Sequence, residues 1–391
     1  MSSAIASRLT ALGELSVDEF MARHWQRRPC LVRDALPGFV APLEVHRLFA
    51  LATRDDVESR LVARQGGRYT LRHGPFARLP SRRRRGWTLL VQGVDLHDDA
   101  VHALMQRFRF VPDARLDDVM VSFATDGGGV GPHVDSYDVF LLQAHGRRRW
   151  RVAPPGDTTL VAGAPVKLLA RFEPRHEWEL GPGDLLYLPP GWGHDGVARD
   201  ECTTISVGFR APSRREFLAA YLAACADDPG GADPRYADRG RRVDAHPARI
   251  PPDLLRRLTG WAGDWRPRST DVARFIGRWL TEPKPTVWFD PARPCLPSPR
   301  FAACAAATGL VLDRRTRMGW RGRWVFVNGE AIQPPPAARR WLRHLADRRS
   351  LDAADAGRCI ADPSVAAMLA EWHAAGWLHL AAAAPAPSRS R

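Results

Sequence analysis

Lysine is almost missing from this chain. Of its 57 lysines and arginines only Lys167 and Lys284 are lysines, so the formal charge of +14 rests on arginine. Such a bias is what a GC-rich genome produces through codon choice. A basic surface also attracts phosphate at long range, which keeps an acidic or ribonucleoprotein partner open. Cysteine is sparse and unpatterned: the six, at 30, 202, 225, 295, 304 and 359, form no CxxC pair. That argues against both a disulfide scaffold and a structural zinc site. No stretch approaches the roughly 18 uninterrupted apolar residues of a membrane helix. The start, MSSAIASRLTALGELSVDEF, has no basic opening followed by an apolar run, so no secretory signal is visible. Internal repeats are absent as well. What remains is a chain of 391 residues, 45% hydrophobic and 26% charged. It is expected to fold as two or three domains, in the cytoplasm and away from membranes.

Residues 1 to about 65 read as short amphipathic helices broken by turns at Pro29 and at Pro37 and Gly38. After that strand-like stretches take over, and from Trp87 the strand signal is strong. WTLLVQGVDL, DVMVSFA, YDVFLLQ, RRWRVA, DLLYLP and CTTISVGFR are short runs rich in Val, Leu, Phe and Tyr, bounded by Gly, Pro and Asp. Such a series predicts a sandwich or jelly-roll barrel. Past Pro212 the period lengthens to that of amphipathic helices in REFLAAYLAACA, PDLLRRLTGWAG and DVARFIGRWL, with a charged loop over residues 227–251 between the first two. Near Pro294 the pattern shifts again, to mixed helix and hairpin with Asn328 and Gly329 as a turn. Three helices and a short strand follow: PAARRWLRHLADR, LDAADAGRC, DPSVAAMLAEWHAAG and WLHL. Asp362 as N-cap, Pro363 in the first helical position and Gly376 past the last turn delimit the third. The end, AAAAPAPSRSR, reads as disordered.

Chemistry concentrates in GPHVDSYDVFLLQAHGRRRWRV, residues 131–152. Side chains at i and i+2 of a strand share a face, roughly 6.6 to 6.8 Å apart at the backbone, so His133 and Asp135 can converge on one cation. An imidazole and a carboxylate are two-thirds of the facial triad that holds non-haem Fe(II) with positions left free. His194 is the best-placed third ligand, because a strand ending in Pro-Pro-Gly-Trp-Gly delivers it on a turn at a barrel mouth. The loop DGGGVGP ahead of His133 is rich enough in glycine to let backbone approach a ligand.

HVD with the distal His194, framed by GDLLYLPPGW, resembles the JmjC-type 2-oxoglutarate and Fe(II) oxygenases. More narrowly, GGGVGPHVDSYDVFLLQ with GRRRWRV is similar to the bacterial ribosomal oxygenases. The resemblance implies an α+β fold. Residues 1–212 would form a JmjC/cupin catalytic domain on a double-stranded β-helix, 213–294 a helical dimerisation domain, and 295–391 a winged-helix-like domain. It further implies Fe(II), 2-oxoglutarate and molecular oxygen as reactants, and a homodimer. The implied substrate is an arginine of large-subunit ribosomal protein sixteen.

The arginine run carries one exception to a solvated edge. If His145 and Gly146 make a two-residue hairpin turn, Ala144 pairs with Arg147, Gln143 with Arg148 and Leu141 with Trp150, and cross-strand partners share a face. Counting by twos from His133, Asp135 and Tyr137 then turns Arg148 and Trp150 inward and Arg147, Arg149 and Arg151 outward. A buried guanidinium is costly unless paired, and its fork suits a carboxylate. The family resemblance implies that Arg148 binds the distal carboxylate of 2-oxoglutarate. The family also commonly offers that carboxylate a hydroxyl from nine residues before the first histidine, where this chain has Ala124. Ser122, two residues back on the same face, is the candidate replacement, directly or through water.

Asp118 shares the inward parity of Met120 and Ser122, and Tyr137 lies one pleat beyond Asp135; both are candidates for holding the substrate side chain. Two other function classes compete. One is a ligand-sensing cupin joined to a winged-helix DNA reader, although the helix that would enter a groove, residues 364–375, contains no Arg or Lys. The other is a cupin that uses its metal without 2-oxoglutarate and would not need Arg148.

Overall fold

The segment DVFLLQAH, Asp138–His145, is apolar on both faces of a strand. Phe140, Leu142 and Ala144 join a large core with Phe20, Phe108, Tyr187 and Phe209, while Val139 and Leu141 meet Trp150, Val152, Leu186 and Leu188. With a side-chain period of two, both sides of this strand are therefore covered. The computed structural model describes residues 8–227, 235–237, 250–264 and 268–381. Most of the charged loop expected over 227–251 and nearly all of the tail expected to be disordered lie outside the described residues.

Two antiparallel sheets build the barrel. The larger has eight strands in the order Cys30–Val32, Leu185–Leu188, Asp138–His145, Cys202–Phe209, Leu116–Ala124, Trp87–Val91, Ser59–Gln65 and Arg68–His73. The smaller has four: His176–Leu180, Arg148–Ala153, Gly193–Ala198 and His133–Val134. From Asp138 onward the chain passes repeatedly from one sheet to the other, which is the double-stranded β-helix expected from the sequence. Short N-terminal helices, among them Val17–Arg23 and Val45–Leu51, cover the outer face of the larger sheet.

Three local expectations need correction. Asp138–His145 and Arg148–Ala153 do not form a hairpin. Both edges of the first are taken by Leu185–Leu188 and Cys202–Phe209, so the link through Gly146 crosses to the other sheet, where Arg148 pairs with Ala198 and Leu180 and Trp150 with Gly196 and Trp178. Strand structure also begins before residue 65, inside the stretch read as helical. Cys30–Val32 is an edge strand, and Ser59–Gln65 pairs with Arg68–His73 through Gly66 and Gly67, both at positive φ. Arg60 and Arg64, four apart, imitate the polar face of a helix in that stretch. Lastly, His194 is not on the turn itself but second in the strand Gly193–Ala198, directly after it.

Beyond the barrel, the helices Arg214–Asp227, Pro252–Asp264 and Ser269–Thr281 follow as the periodicity predicts. The third of them packs on the sheet Met318–Arg321, Trp324–Val327 and Glu330–Ile332, with Gly277 against the Phe326 ring. Asn328 and Gly329 turn that hairpin at φ 47° and 86°, the left-handed pair such a turn requires. Pro363–Ala374 begins as expected, with Asp362 accepting from the Ser364 backbone N–H, and buries Val365, Leu369 and Trp372. The C-terminal module is bonded to the barrel. Arg314 pairs with Asp99 at 2.6 Å, Arg317 donates to the Asp117 carbonyl at 2.9 Å, and Arg109 reaches the Asp347 carbonyl at 2.6 Å.

Candidate metal and 2-oxoglutarate site

The loop ahead of His133 sets the site. A Cβ on Gly128 would stand 2.4 Å from the Trp87 carbonyl oxygen, and one on Gly129 would stand 2.6 Å from that of Gly196. Only glycine lets the chain pass between the two sheets at this separation. His133 then pairs directly with His194 across the smaller sheet.

One ligand atom each from His133, Asp135 and His194 lies within 4.8 Å of the others. The imidazole rings are 4.2 Å apart between centroids, and His194 Nε2 is 3.6 Å from the Asp135 carboxylate. Nδ1 of His133 is 2.9 Å from the Gly131 carbonyl, and Nδ1 of His194 is 3.1 Å from that of Trp192. A carbonyl can only accept, so each Nδ1 carries the proton and each Nε2 keeps its lone pair for a cation. Burial, and after it the neighbouring His133, push the His194 imidazole down to about 4, which keeps it in the neutral form a metal needs. Two imidazoles and a carboxylate on one side leave the opposite positions open, the donor set and shape of a non-haem Fe(II) centre.

These groups border a cavity of about 200 Å³. At its inner end stands Arg148, 5% exposed, with its guanidinium 5.7 Å from the Trp150 ring centre. Nη1 donates to Ser122 Oγ at 3.3 Å, whereas Nε and Nη2 are buried with no partner. An unpaired buried guanidinium is expensive, and a carboxylate in the cavity would satisfy it bidentately. The orphaned donors thus fit a dicarboxylate co-substrate such as 2-oxoglutarate. Parity fixed this inward turn despite the wrong pairing, because Arg148 and Trp150 alternate with Arg149 and Arg151 whichever strand lies alongside. Arg147 pairs outside with Asp200 and Glu179.

Asp118 and Tyr137 line the same cavity, with Tyr137 40% exposed at its mouth. Asp118 is not free. It accepts from Gln92 Nε2 at 2.9 Å and from Lys284 Nζ at 2.9 Å, and Lys284 also lies 3.1 Å from Asp117. Burial works against the Lys284 ammonium, but the two carboxylates more than offset it and its pKa is raised. The sequence had given no sign of Lys284, which arrives from 166 residues away. Thr88 and Gln92 were also missed, yet a signal existed. Thr88, Leu90 and Gln92 occupy alternate positions of Trp87–Val91 and its exit, so carrying the parity count into that run would have placed all three on the cavity.

Residues 103–217 match the family model of the JmjC domain, and residues 263–379 that of the ROXA-like winged helix. Ribosomal protein uL16 3-hydroxylase of Escherichia coli strain K12 is 36% identical over 358 residues, 91% of this chain and 95% of its own length. The crystal structure of Escherichia coli YcfD superposes with a TM-score of 0.84 at 34% identity, covering 95% of this chain and 100% of YcfD. A second YcfD structure, of a ribosomal oxygenase in complex with cobalt and 2-oxoglutarate, gives a TM-score of 0.81 at 34% identity, with 94% of this chain and 99% of that one covered.

Gly196 provides a test of how the cavity wall is held. A Cβ there would lie 2.6 Å from the Trp150 ring, which flanks both Arg148 and the His194 imidazole. Gly196→Ala is expected to displace Trp150 and to lower stability by about 1–3 kcal/mol through overpacking. Denaturant titration would measure the loss, and unchanged stability would mean that Trp150 can move freely.

Proposed function

This chain belongs to the JmjC-domain ribosomal oxygenases, and we propose that it uses Fe(II) and 2-oxoglutarate to hydroxylate an arginine side chain of ribosomal protein uL16. The observation that carries the reading is the pairing, in one cavity, of a facial two-histidine, one-carboxylate donor set with a buried guanidinium that has two unsatisfied N–H groups. When bound, the metal and co-acid supply the oxidation: oxygen is consumed, 2-oxoglutarate becomes succinate and carbon dioxide, and one C–H bond becomes C–OH.

The chain's own residues hold and aim. His133, Asp135 and His194 hold the metal, with both histidine rings oriented by backbone carbonyls. Arg148 binds the distal carboxylate of 2-oxoglutarate, and Ser122 supports its guanidinium from the side. Asp118 and Tyr137 receive the substrate guanidinium, which needs an anionic partner and a flat neighbour when withdrawn from water. Lys284 bridges Asp117 and Asp118, and Arg210 and Arg317 also lie against Asp117, so a substrate cation would meet Asp118 beside the lysine. Fe(II) is favoured by donor type and open geometry, although bare affinity for such ligands rises toward later metals, and purified protein is expected to carry zinc or nickel as well.

We assign the catalytic domain to residues 1–212, a helical dimerisation domain to 213–294 and the winged-helix-like domain to 295–391. The dimer reading is supported by Leu218, Leu222, Leu255 and Leu258, which stand 36–59% exposed on the first two helices past the barrel. No helix among the described residues is long and apolar enough to cross a membrane, and a ribosomal substrate suits a cytoplasmic enzyme. DNA reading has little to recommend it: Pro363–Ala374 contains no Arg or Lys and spends its apolar face on the C-terminal core.

Hydroxylation of a uL16 peptide, followed by mass spectrometry, should disappear in His133→Ala. In Asp118→Ala it should fall about tenfold or more while 2-oxoglutarate binding persists, given roughly 1.5–3 kcal/mol for a charged hydrogen bond. A peptide with leucine in place of the target arginine should be inert; equal turnover of that peptide would reject the arginine assignment. Calorimetric titration should find 2-oxoglutarate binding greatly weakened in Arg148→Lys and little changed in Arg149→Lys, since a point ammonium cannot make the two-pronged contact. Equal impairment of the two would contradict the inward role of Arg148. Light scattering at micromolar concentration should give the mass of a dimer, and a monomer would refute the helical interface.

A further inference from the structure

We propose that the hydroxyl donor to the distal carboxylate of 2-oxoglutarate is Thr88, acting from the strand opposite Ala124. This rests on the co-substrate reading above and adds a residue to it.

Thr88 is 1% exposed, and its Oγ1 is buried without any hydrogen-bond partner, yet the residue lines the cavity together with Ser122 and Arg148. It pairs directly with Ala124, the position from which a hydroxyl is expected and missing, and directly paired residues share a face of the sheet. Replacing a hydroxyl at one position by a hydroxyl across the ladder moves it by one strand spacing and leaves it on the same wall. Ser122, the replacement suggested by the sequence, is already occupied. Its oxygen accepts from Arg148 Nη1 at 3.3 Å, and its hydrogen is directed at the Thr204 carbonyl at 3.5 Å.

Thr88 therefore holds a buried hydroxyl hydrogen on this wall that no acceptor among the described residues claims. A carboxylate is acceptor-only and can take several donors at once. Arg148 Nε and Nη2 and Thr88 Oγ1 are three donors, all buried and all unpartnered, around one cavity. Were Thr88 there only for its branched shape in a strand, valine would fill the same volume and leave no orphaned hydroxyl. Gly128 contributes by its lack of a side chain, since a Cβ there would stand 3.0 Å from Thr88 Oγ1 and crowd the hydroxyl.

The test uses the full chain loaded with Mn(II) under anaerobic conditions, and calorimetric titration with 2-oxoglutarate and, separately, with 2-oxopentanoate, which lacks the distal carboxylate. Thr88→Val is expected to weaken 2-oxoglutarate binding about tenfold, as for loss of one hydrogen bond to a charged group. Thr88→Ser should stay within about twofold of the parent, because the hydroxyl is kept. Thr88→Val combined with Ala124→Ser should regain most of the loss. Binding of 2-oxopentanoate and of Mn(II) alone should not change in any variant. Thr88→Ala makes the same comparison if Thr88→Val does not fold. Undiminished 2-oxoglutarate binding in the variants lacking the hydroxyl, or an equal loss for 2-oxopentanoate, would overturn the proposal. Failure of the parent protein to bind 2-oxoglutarate would instead bring down the functional reading on which it stands.

Discussion

Everything at the site depends on backbone passing where no side chain fits. Gly128 lies against the Trp87 carbonyl of the larger sheet and Gly129 against the Gly196 carbonyl of the smaller one, both closer than a Cβ tolerates. That passage fixes the spacing of the two sheets at the mouth and the point at which His133 enters the ladder beside His194. The second histidine is equally constrained, because Gly196, two residues past it, leaves room for the Trp150 ring. A metal centre assembled from two short strands would otherwise be loose. Here its ligands are held by backbone contacts that admit no rotamer choice, and both imidazoles are further tied by carbonyls two residues back.

The barrel walls show where stability has been given up for this arrangement. On Leu116–Ala124 the outward residues Val119, Val121 and Phe123 belong to the large core, whereas Asp118 and Ser122 face the cavity. Cys202–Phe209 likewise turns Ile205 and Val207 outward and Ser206 inward. Polar groups on the inner face of a closed barrel must find partners or remain unsatisfied. Some do find them: Thr204 donates to Gln143, and Gln92 to Asp118. The unsatisfied remainder includes Arg148 and Trp150 from the smaller sheet and Thr88 from the larger, all three bordering the same cavity. A ligand that satisfies those groups binds only the folded state, so it should add to stability through mass action in proportion to its concentration.

The strands from Trp87 to Phe209 were legible because their runs are short, β-branched and bounded by turn residues, and the metal ligands because the period of two puts His133 and Asp135 on one face. Facing was more robust than pairing. The hairpin assumed at His145 and Gly146 does not exist, but the alternation within RRWRVA is a property of that strand alone, and the two sheets of a jelly roll look toward each other. Arg148 and Trp150 therefore turned inward for a reason independent of their neighbour. What stayed hidden depended on sequence-distant partners. The edge strand Cys30–Val32 has three residues and is defined only by Leu185–Leu188 beside it. The opposition of Thr88 to Ala124 is a matter of ladder register, which no local pattern encodes.

Lys284 is the clearest case of such a partner, and it ties the electrostatics of the pocket to the rest of the chain. It lies in the stretch EPKP just past Ser269–Thr281, a helix that packs on the C-terminal sheet, and its ammonium sits between Asp117 and Asp118. Arg317 from that same sheet region donates to the Asp117 carbonyl. Asp117 is also met by Arg210 at the end of the barrel, 3.5 Å away, whereas the cation on Asp118 is Lys284, from outside the barrel, so the charge of Asp118 in the pocket depends on the segment that carries the lysine being docked. An isolated barrel would retain the metal ligands and Arg148 but face its substrate with both acids stripped of their lysine. The arginine-rich composition makes the choice of residue meaningful. A guanidinium in place of Lys284 could grip a carboxylate bidentately and saturate it, whereas an ammonium is a point charge that leaves lone pairs on both acids available. A second cation could then share Asp118 without first evicting the lysine, as the proposed recognition of an arginine side chain there would require.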